Sequence, residues 1–189
     1  MEWQLPGTVL KLPREDAGRM EEIFSTMFLA GGLVLSQVAE LTGLEPHTVQ
    51  NWVKRGFLTP PVRKRYSLRQ LCRILNINAF KGILSMERIC GMLRYVNGKL
   101  DDDSDDIIDD SKLYFMFAGL AARIRELSDA QAYESSVKAV LAEYTETVSG
   151  NRERVEKVLR IMLTAYAAAR MQQRAESMLT EIERSESNE

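Results

Sequence analysis

The stretch that most restricts what this chain can fold into runs from Leu35 to Tyr66, LSQVAELTGLEPHTVQNWVKRGFLTPPVRKRY. Its punctuation is dense. Ser36 suits the N-cap of a helix over 37–42, and Gly43 stands where a left-handed C-terminal residue is wanted. Pro46 suits the first position of a second helix, where its missing N–H costs nothing, and Gly56 stops that helix. Val38, Ala39 and Leu41 give the first helix an inward side. Val49, Trp52 and Val53, at i, i+3 and i+4, do the same for the second. Facing outward are His47, Thr48, Gln50, Asn51, Lys54 and Arg55, all hydrogen-bonding or basic, the inventory used on base edges and phosphates. Thr59-Pro60-Pro61 is a rigid extended turn. After it, Arg63, Lys64 and Arg65 stand between the β-favouring Val62 and Tyr66.

The mean charge hides this module. The 189 residues carry 25 Lys/Arg and 27 Asp/Glu, a net charge of −2. Leu33 to Asn97, however, holds ten Lys/Arg against three Asp/Glu, a net of +7. Gly98 to Glu189 is −7 and Met1 to Gly32 is −2. Such asymmetry fits a nucleic-acid-binding module joined to a solvated partner domain. Hydrophobic residues make up 45% of the chain, enough to build a core. Cys72 and Cys90 lie in apolar helical patterns without CxxC or Cys/His spacing, so they read as buried free thiols of a reducing cytosol. No basic leader with a cleavage site occurs, and no apolar run of eighteen residues. A cytoplasmic protein, neither exported nor membrane-spanning, is expected.

Around the module the chain reads as helical. Met1 to Pro13 looks irregular, with prolines at Pro6 and Pro13. Arg14 to Leu29 places Met20, Ile23, Phe24, Met27 and Phe28 on one stripe, ended by Gly31 and Gly32. Ser67 and Gln70 form a capping box for a helix to about Phe80, with Leu71, Ile74, Leu75 and Ile77 inward. Ser85 caps a helix from Met86 to Val96. The segment Asp101 to Asp110, DDDSDDIIDD, fails as a calcium loop: Asp106 stands where Gly is needed and Lys112 where Glu is needed. It reads as a solvated linker whose last acids favour the next helix N-terminus. Leu113 to Leu127, apolar nearly all round, should be the buried centre of a second domain. Asp129 to Val148 is a further helix. A long one from Arg152 to Arg184 would span about 50 Å. That exceeds the need of a small domain, so part of it should pack on a second subunit or fray. Ser185 to Glu189 reads as a disordered tail.

EPHTVQNWVKRGFL, Glu45 to Leu58, aligns without gaps to the recognition-helix signature of the MerR family of bacterial transcription regulators, roughly S-P-x-T-L-R-Y-Y-E-x-x-G-L-L. Pro46, Thr48, Gly56 and Leu58 match outright; Val49, Trp52 and Phe57 match in kind. LSQVAELTGL resembles the family's first helix. Arg65-Tyr66-Ser67 with the helix after it resembles the wing exit and third helix, and Ser85 to Leu93 resembles the fourth. The likeness covers about a third of the chain. It departs at Gln50-Asn51-Trp52, where the family carries Arg-Tyr-Tyr, in a shorter wing without a tip glycine, and in the acidic loop after Val96. Within the likeness the chain looks closest to a group in which a MerR-like domain precedes a helical C-terminal domain.

The resemblance implies a mainly α protein: a MerR-like winged helix-turn-helix domain with a short or vestigial wing, plus an all-helical C-terminal domain. The expected division is an N-terminal helical extension over 1–32, the DNA-binding domain over 33–98, an acidic linker over 99–112 and the C-terminal domain over 113–189. The resemblance also implies double-stranded DNA as partner and a homodimer through the C-terminal helices, and it supplies no effector. Candidate DNA contacts are Ser36, His47, Thr48, Gln50, Asn51, Lys54, Arg55, Arg63, Lys64, Arg65 and Tyr66. Gln50 or Asn51 would pair with adenine, and the others would hold phosphates or reach the minor groove. With His47 as the one histidine, and neither a P-loop nor GxGxxG, no catalytic residue, metal ligand or cofactor site is read. The alternative is a protein-interaction module that uses the helix-turn-helix only as scaffold.

Overall fold

The computed structural model describes residues 2–123, 130–142, 144–145 and 150–186. It opens on a β-hairpin: β1 (Glu2–Gln4) pairs antiparallel with β2 (Lys11–Pro13), Trp3 opposite Leu12. This corrects the expectation of an irregular start, and the reason is tertiary. Trp3 and Leu5 are buried. Trp3 Nε1 donates to the Tyr166 hydroxyl at 3.1 Å, and the Tyr114 hydroxyl donates to the Pro6 carbonyl at 2.9 Å. Gly7, at φ +74°, lies so close to the Leu75 carbonyl that a Cβ would not fit. Three-residue strands carry too short a pattern to be read locally.

A 3-10 stretch over Arg14–Arg19 leads into α1 (Met20–Met27), where one helix from Arg14 to Leu29 was expected. Met20 and Phe24 are buried while Met27 is exposed, so the inward stripe is narrower than its spacing suggested. Then come β3 (Leu33–Val34), α2 (Leu35–Thr42) and α3 (Pro46–Lys54). β4 (Arg65–Tyr66) returns antiparallel onto β3. Val34 rather than Ser36 is the N-cap of α2, its N–H bonded to Gln37 Oε1 at 3.0 Å; Ser36 sits inside the first turn. Gly43 adopts the expected left-handed conformation at φ 68°. Ser67 and Gln70 cap α4 (Leu68–Phe80) reciprocally, and Ser85 caps α5 (Met86–Asn97). Beyond lie α6 (Asp110–Arg123), α7 (Ala130–Ala142) and α8 (Asn151–Glu186). The protein is mainly helical, and among the described residues no helix is long and apolar enough to cross a membrane.

One apolar core runs from Trp3 to Ala165. This core crosses the divisions expected at 32/33 and 112/113. α6 is the reason: it packs on α4 as well as on α7 and α8, with Leu113, Tyr114, Phe117 and Leu120 fully buried. It lies at the centre of this core. Helical spacing after Asp129 turns Val137, Val140, Leu141 and Tyr144 inward, and after Arg152 it turns Val155, Val158, Leu159, Met162 and Tyr166; all are buried except Val140 and Tyr166, which are half-buried. The expected helix ends at Leu127, Asp129 and Val148 lie outside the described residues. Of the expected tail, Ser185 and Glu186 belong to α8, and 187–189 lie outside.

The acidic segment is folded, which corrects its reading as a solvated linker. Asp102 accepts from the N–H and hydroxyl of Ser104, and Asp105 accepts from the Lys99 N–H. Asp109 accepts from Ser111 N at 2.8 Å and Lys112 N at 3.0 Å, capping α6 as the charge pattern suggested. Ile108 is buried, and the Ile107 N–H bonds back to the Val96 carbonyl. Asp106 and Asp110 face cations on α4, with Arg69 2.7 Å from Asp106 and Arg73 3.3 Å from Asp110.

Candidate nucleic-acid interface

α3 is positioned from below by Val49 and Trp52, both buried. Trp52 is core, as its spacing implied. His47, Gln50, Asn51, Lys54 and Arg55 are exposed on the opposite side, and Thr48 is half-buried at the margin. Arg55 lies 4.6 Å over the Phe57 ring and 3.6 Å from the Glu87 carboxylate on α5, which tethers its guanidinium.

Val62 and Arg65 exchange both backbone hydrogen bonds, Val62 N–H to Arg65 O at 3.1 Å and Arg65 N–H to Val62 O at 2.9 Å. The two residues between them, Arg63 and Lys64, have φ of 51° and 63°. This is a two-residue hairpin of type I′, whose usual tenants are Asn-Gly or Gly-Gly because both positions lie in the left-handed region. Two long cations occupy it instead. The segment expected to be a short wing is a hairpin with a two-residue tip.

The hairpin has two sides: Val62, Arg63 and Arg65 border one cleft, and Pro61, Lys64 and Tyr66 another. Lys64 and Tyr66 border a groove of about 490 Å³ against α3, shared with Gln50, Val53 and Lys54. Three candidate residues from two elements, Gln50, Lys54 and Lys64, thereby meet along one channel. Tyr66 is corrected: it is only 3% exposed, opposite Leu33 in the β3–β4 pair, and burial raises its hydroxyl pKa. Its ring belongs to the core, and only an edge of it borders the groove. Ser36 is exposed on α2. Arg65 is exposed, with Nη1 donating to the Gly32 carbonyl at 2.8 Å.

Two residues that sequence reasoning passed over hold this surface in place. Gln70, besides capping α4, donates through Nε2 to Thr59 O, Thr59 Oγ1 and Pro60 O at 2.9–3.0 Å. Arg73 donates through Nε to the Phe57 carbonyl at 2.9 Å and through Nη1 to Asp110. The exit of α3 is thereby tied to α4 and, through Asp110, to the head of α6. The available signal was a lone arginine within the apolar run Leu71 to Ile74. Burial pushes the Asp110 carboxyl up, against the pull of Arg73 and Arg69. Among the described residues no group of three or more His, Cys, Asp and Glu side chains is placed to hold a metal ion.

Residues 25–117 match a family described as a domain of unknown function, DUF1836. The matched region takes in α2, α3, the hairpin, α4, α5 and the acidic segment, so it contains the whole surface described above. The chain is also 29% identical over 128 residues to the uncharacterized protein YkrK of Bacillus subtilis (strain 168), a match covering 66% of this chain and 54% of that protein. The chain thus spans about half the length of that relative. No solved structure matches the chain.

Proposed function

We propose that this protein is a cytoplasmic, sequence-specific DNA-binding transcriptional regulator. Its module is a MerR-like winged helix-turn-helix, α2 and α3 forming the helix pair and the Val62–Arg65 hairpin a minimal wing. The observation that carries the reading is the hairpin tip. Arg63 and Lys64 both hold positive φ, a conformation costing a residue with a Cβ about 1 kcal/mol or more. Cations kept there at that cost, beside the exposed polar face of α3, support a role in meeting phosphates.

In this reading α3 enters the major groove. Gln50 or Asn51 pairs bidentately with adenine N6 and N7, and each such pair discriminates by about 1–3 kcal/mol. His47, Thr48, Lys54 and Arg55 set the helix on the backbone, Ser36 meets a phosphate beside α2, and Arg63, Lys64 and Arg65 follow the backbone or reach the minor groove. The active form is a homodimer. From Arg170 to Ser185, α8 is exposed, and Met171, Ala175, Met178 and Ile182 repeat at 4-3-4 spacing. That spacing supports pairing of two such helices, one from each copy of the chain.

The test is binding to genomic fragments recovered by footprinting, with Asn51→Ala and Arg63→Ala beside the wild type. Asn51→Ala should lose specificity and Arg63→Ala affinity. Full affinity and specificity in both would sink the reading. The exposed stripe of α8 also favours a second reading, a protein-interaction module in which the helix pair is only scaffold. Salt separates the two. DNA affinity falls with a log–log slope of about −0.9 per phosphate neutralised. A partner held by the apolar face of α8 shows little salt dependence.

A further inference from the structure

At the end of α4 remote from the Val62–Arg65 hairpin, a cleft of about 300 Å³ opens between four parts of the fold. They are the N-terminal turn around Gly7, the end of α2 at Gly43, the last turn of α4, and α8 between Tyr166 and Gln173. No residue of α3 or of the hairpin lines it. The volume is at the small end of the range for small-molecule sites. Among the described residues its wall holds two cations, Lys81 and Arg170, and no carboxylate.

Most polar groups of the wall are spent on building it. Asn78 Nδ2 donates to the Gly7 carbonyl at 2.8 Å and to the Thr42 carbonyl at 3.0 Å, which ties the N-terminal turn to the end of α2. Gln4 Nε2 donates to the Thr8 carbonyl, and the Thr8 and Thr42 hydroxyls donate to the carbonyls of Leu5 and Val38. The Tyr166 hydroxyl accepts from Trp3 Nε1 at 3.1 Å, so its own proton is left for a further acceptor. Lys81 and Arg170 are different. Both reach solvent, and neither side chain has an ion pair or hydrogen bond among the described residues. The cleft wall desolvates the Lys81 ammonium and lowers its pKa, with no carboxylate to offset the effect. α2 and α4 both end here, and their C-terminal dipoles together amount to about one negative charge. Two cations exceed that, which leaves a surplus of roughly one positive charge.

We propose that this cleft binds a small phosphorylated metabolite, its phosphate group held between Lys81 and Arg170. A phosphate monoester carries a charge of about −1.5 to −2 near neutral pH, which two cations match. Its terminal oxygens can accept from the Arg170 guanidinium in a parallel pair, from the Lys81 ammonium and from the Tyr166 hydroxyl. A carboxylate, with one charge, needs only Arg170. The volume admits a phosphate with a small body beside it and excludes a duplex. The site goes beyond the DNA-binding reading and does not depend on it. A ligand bound there joins α8 to the ends of α2 and α4.

The test is titration of the full chain with inorganic phosphate near neutral pH, without DNA and at constant ionic strength, followed by amide NMR. Saturable shifts should appear at Gly7, Gly43 and Ala79, which line the cleft. Lys81→Gln and Arg170→Gln should each weaken binding about tenfold, the worth of one charge-assisted contact. Arg174→Gln, one turn along α8 and outside the lining, should leave it unchanged. Acetate should bind more weakly at the same amides; acetate as tight as phosphate overturns the phosphate assignment. Absence of saturable shifts at these amides overturns the site, as does binding that survives both Lys81→Gln and Arg170→Gln. Equal weakening by Arg174→Gln would mean diffuse attraction and overturns it as well. Saturable phosphate binding in a protein inert to DNA would overturn the regulator reading and leave this site standing.

Discussion

Arg63 and Lys64 set stability against purpose at single positions. Glycine at either relieves a left-handed conformation, so Arg63→Gly and Lys64→Gly should each raise unfolding free energy by about 1 kcal/mol in urea titrations. If the tip meets phosphates, each variant should also bind DNA more weakly and with a salt slope shallower by about one. More stable variants that bind as well as the wild type would show that the tip touches nothing. The two cysteines carry a simpler expectation. Both are free and buried, and burial pushes both thiols up, Cys72 well above its ordinary value. A raised pKa means less thiolate at neutral pH, so neither should react with an alkylating reagent until the protein is unfolded. Rapid native labelling of Cys72, counted by mass spectrometry, would contradict the packing of α4 on α6.

At the scale of elements, α4 is the part on which the others are hung. Its N-terminus is closed by the Ser67–Gln70 box, and the same glutamine grips the turn after α3. Ser67→Ala should therefore cost about 1 kcal/mol, the usual worth of a cap. Gln70→Ala should cost more and speed hydrogen exchange at Val62 and Arg65, because the hairpin loses its anchor as well. Equal effects on the hairpin from both substitutions would mean that Gln70 acts only as a cap. The N-terminal hairpin behaves differently. Its strands are too short to persist alone, and it exists because Trp3, Leu5 and Gly7 fit against α4, α6 and α8.

For the whole molecule, the ion pairs joining α4 to the acidic segment connect the polar surface of α3 to the helices behind it. Asp110→Ala would strand Arg73 in a site that is 6% exposed, and removing one partner of a buried pair costs about 3–5 kcal/mol. Asp101→Ser, at an exposed position, should stay within about 0.5 kcal/mol. Similar losses in the two variants would show that Asp110 has no special place. The end of α8 belongs to this scale too. Met178→Glu with Ile182→Glu alters only exposed positions, so circular dichroism should be unchanged; if the proposed homodimer forms through α8, sedimentation should show it falling to monomer, and an unchanged sedimentation profile would overturn that pairing.

Local signals were enough to write α2, α3, α4 and α5 from the residues. Gly43, Pro46, Ser67 and Ser85 mark helix ends whatever the rest of the chain does, and the burial of Val49 and Trp52 follows from 3.6-residue periodicity. The outward set His47, Gln50, Asn51, Lys54 and Arg55 was legible for the same reason, because a helix that buries one stripe must expose the other. Tyr66 was misassigned because a two-residue strand has no period, and only its pairing with Leu33 turns the ring inward. The acidic run was misassigned because composition reports charge and not partners: Asp106 and Asp110 find theirs on Arg69 and Arg73, more than thirty residues away. Periodicity and capping chemistry act within a few residues of chain, so the sequence by itself determined the helices and their polar face. Long-range packing decided which hairpins form, where the acidic segment docks and which cations share a cleft.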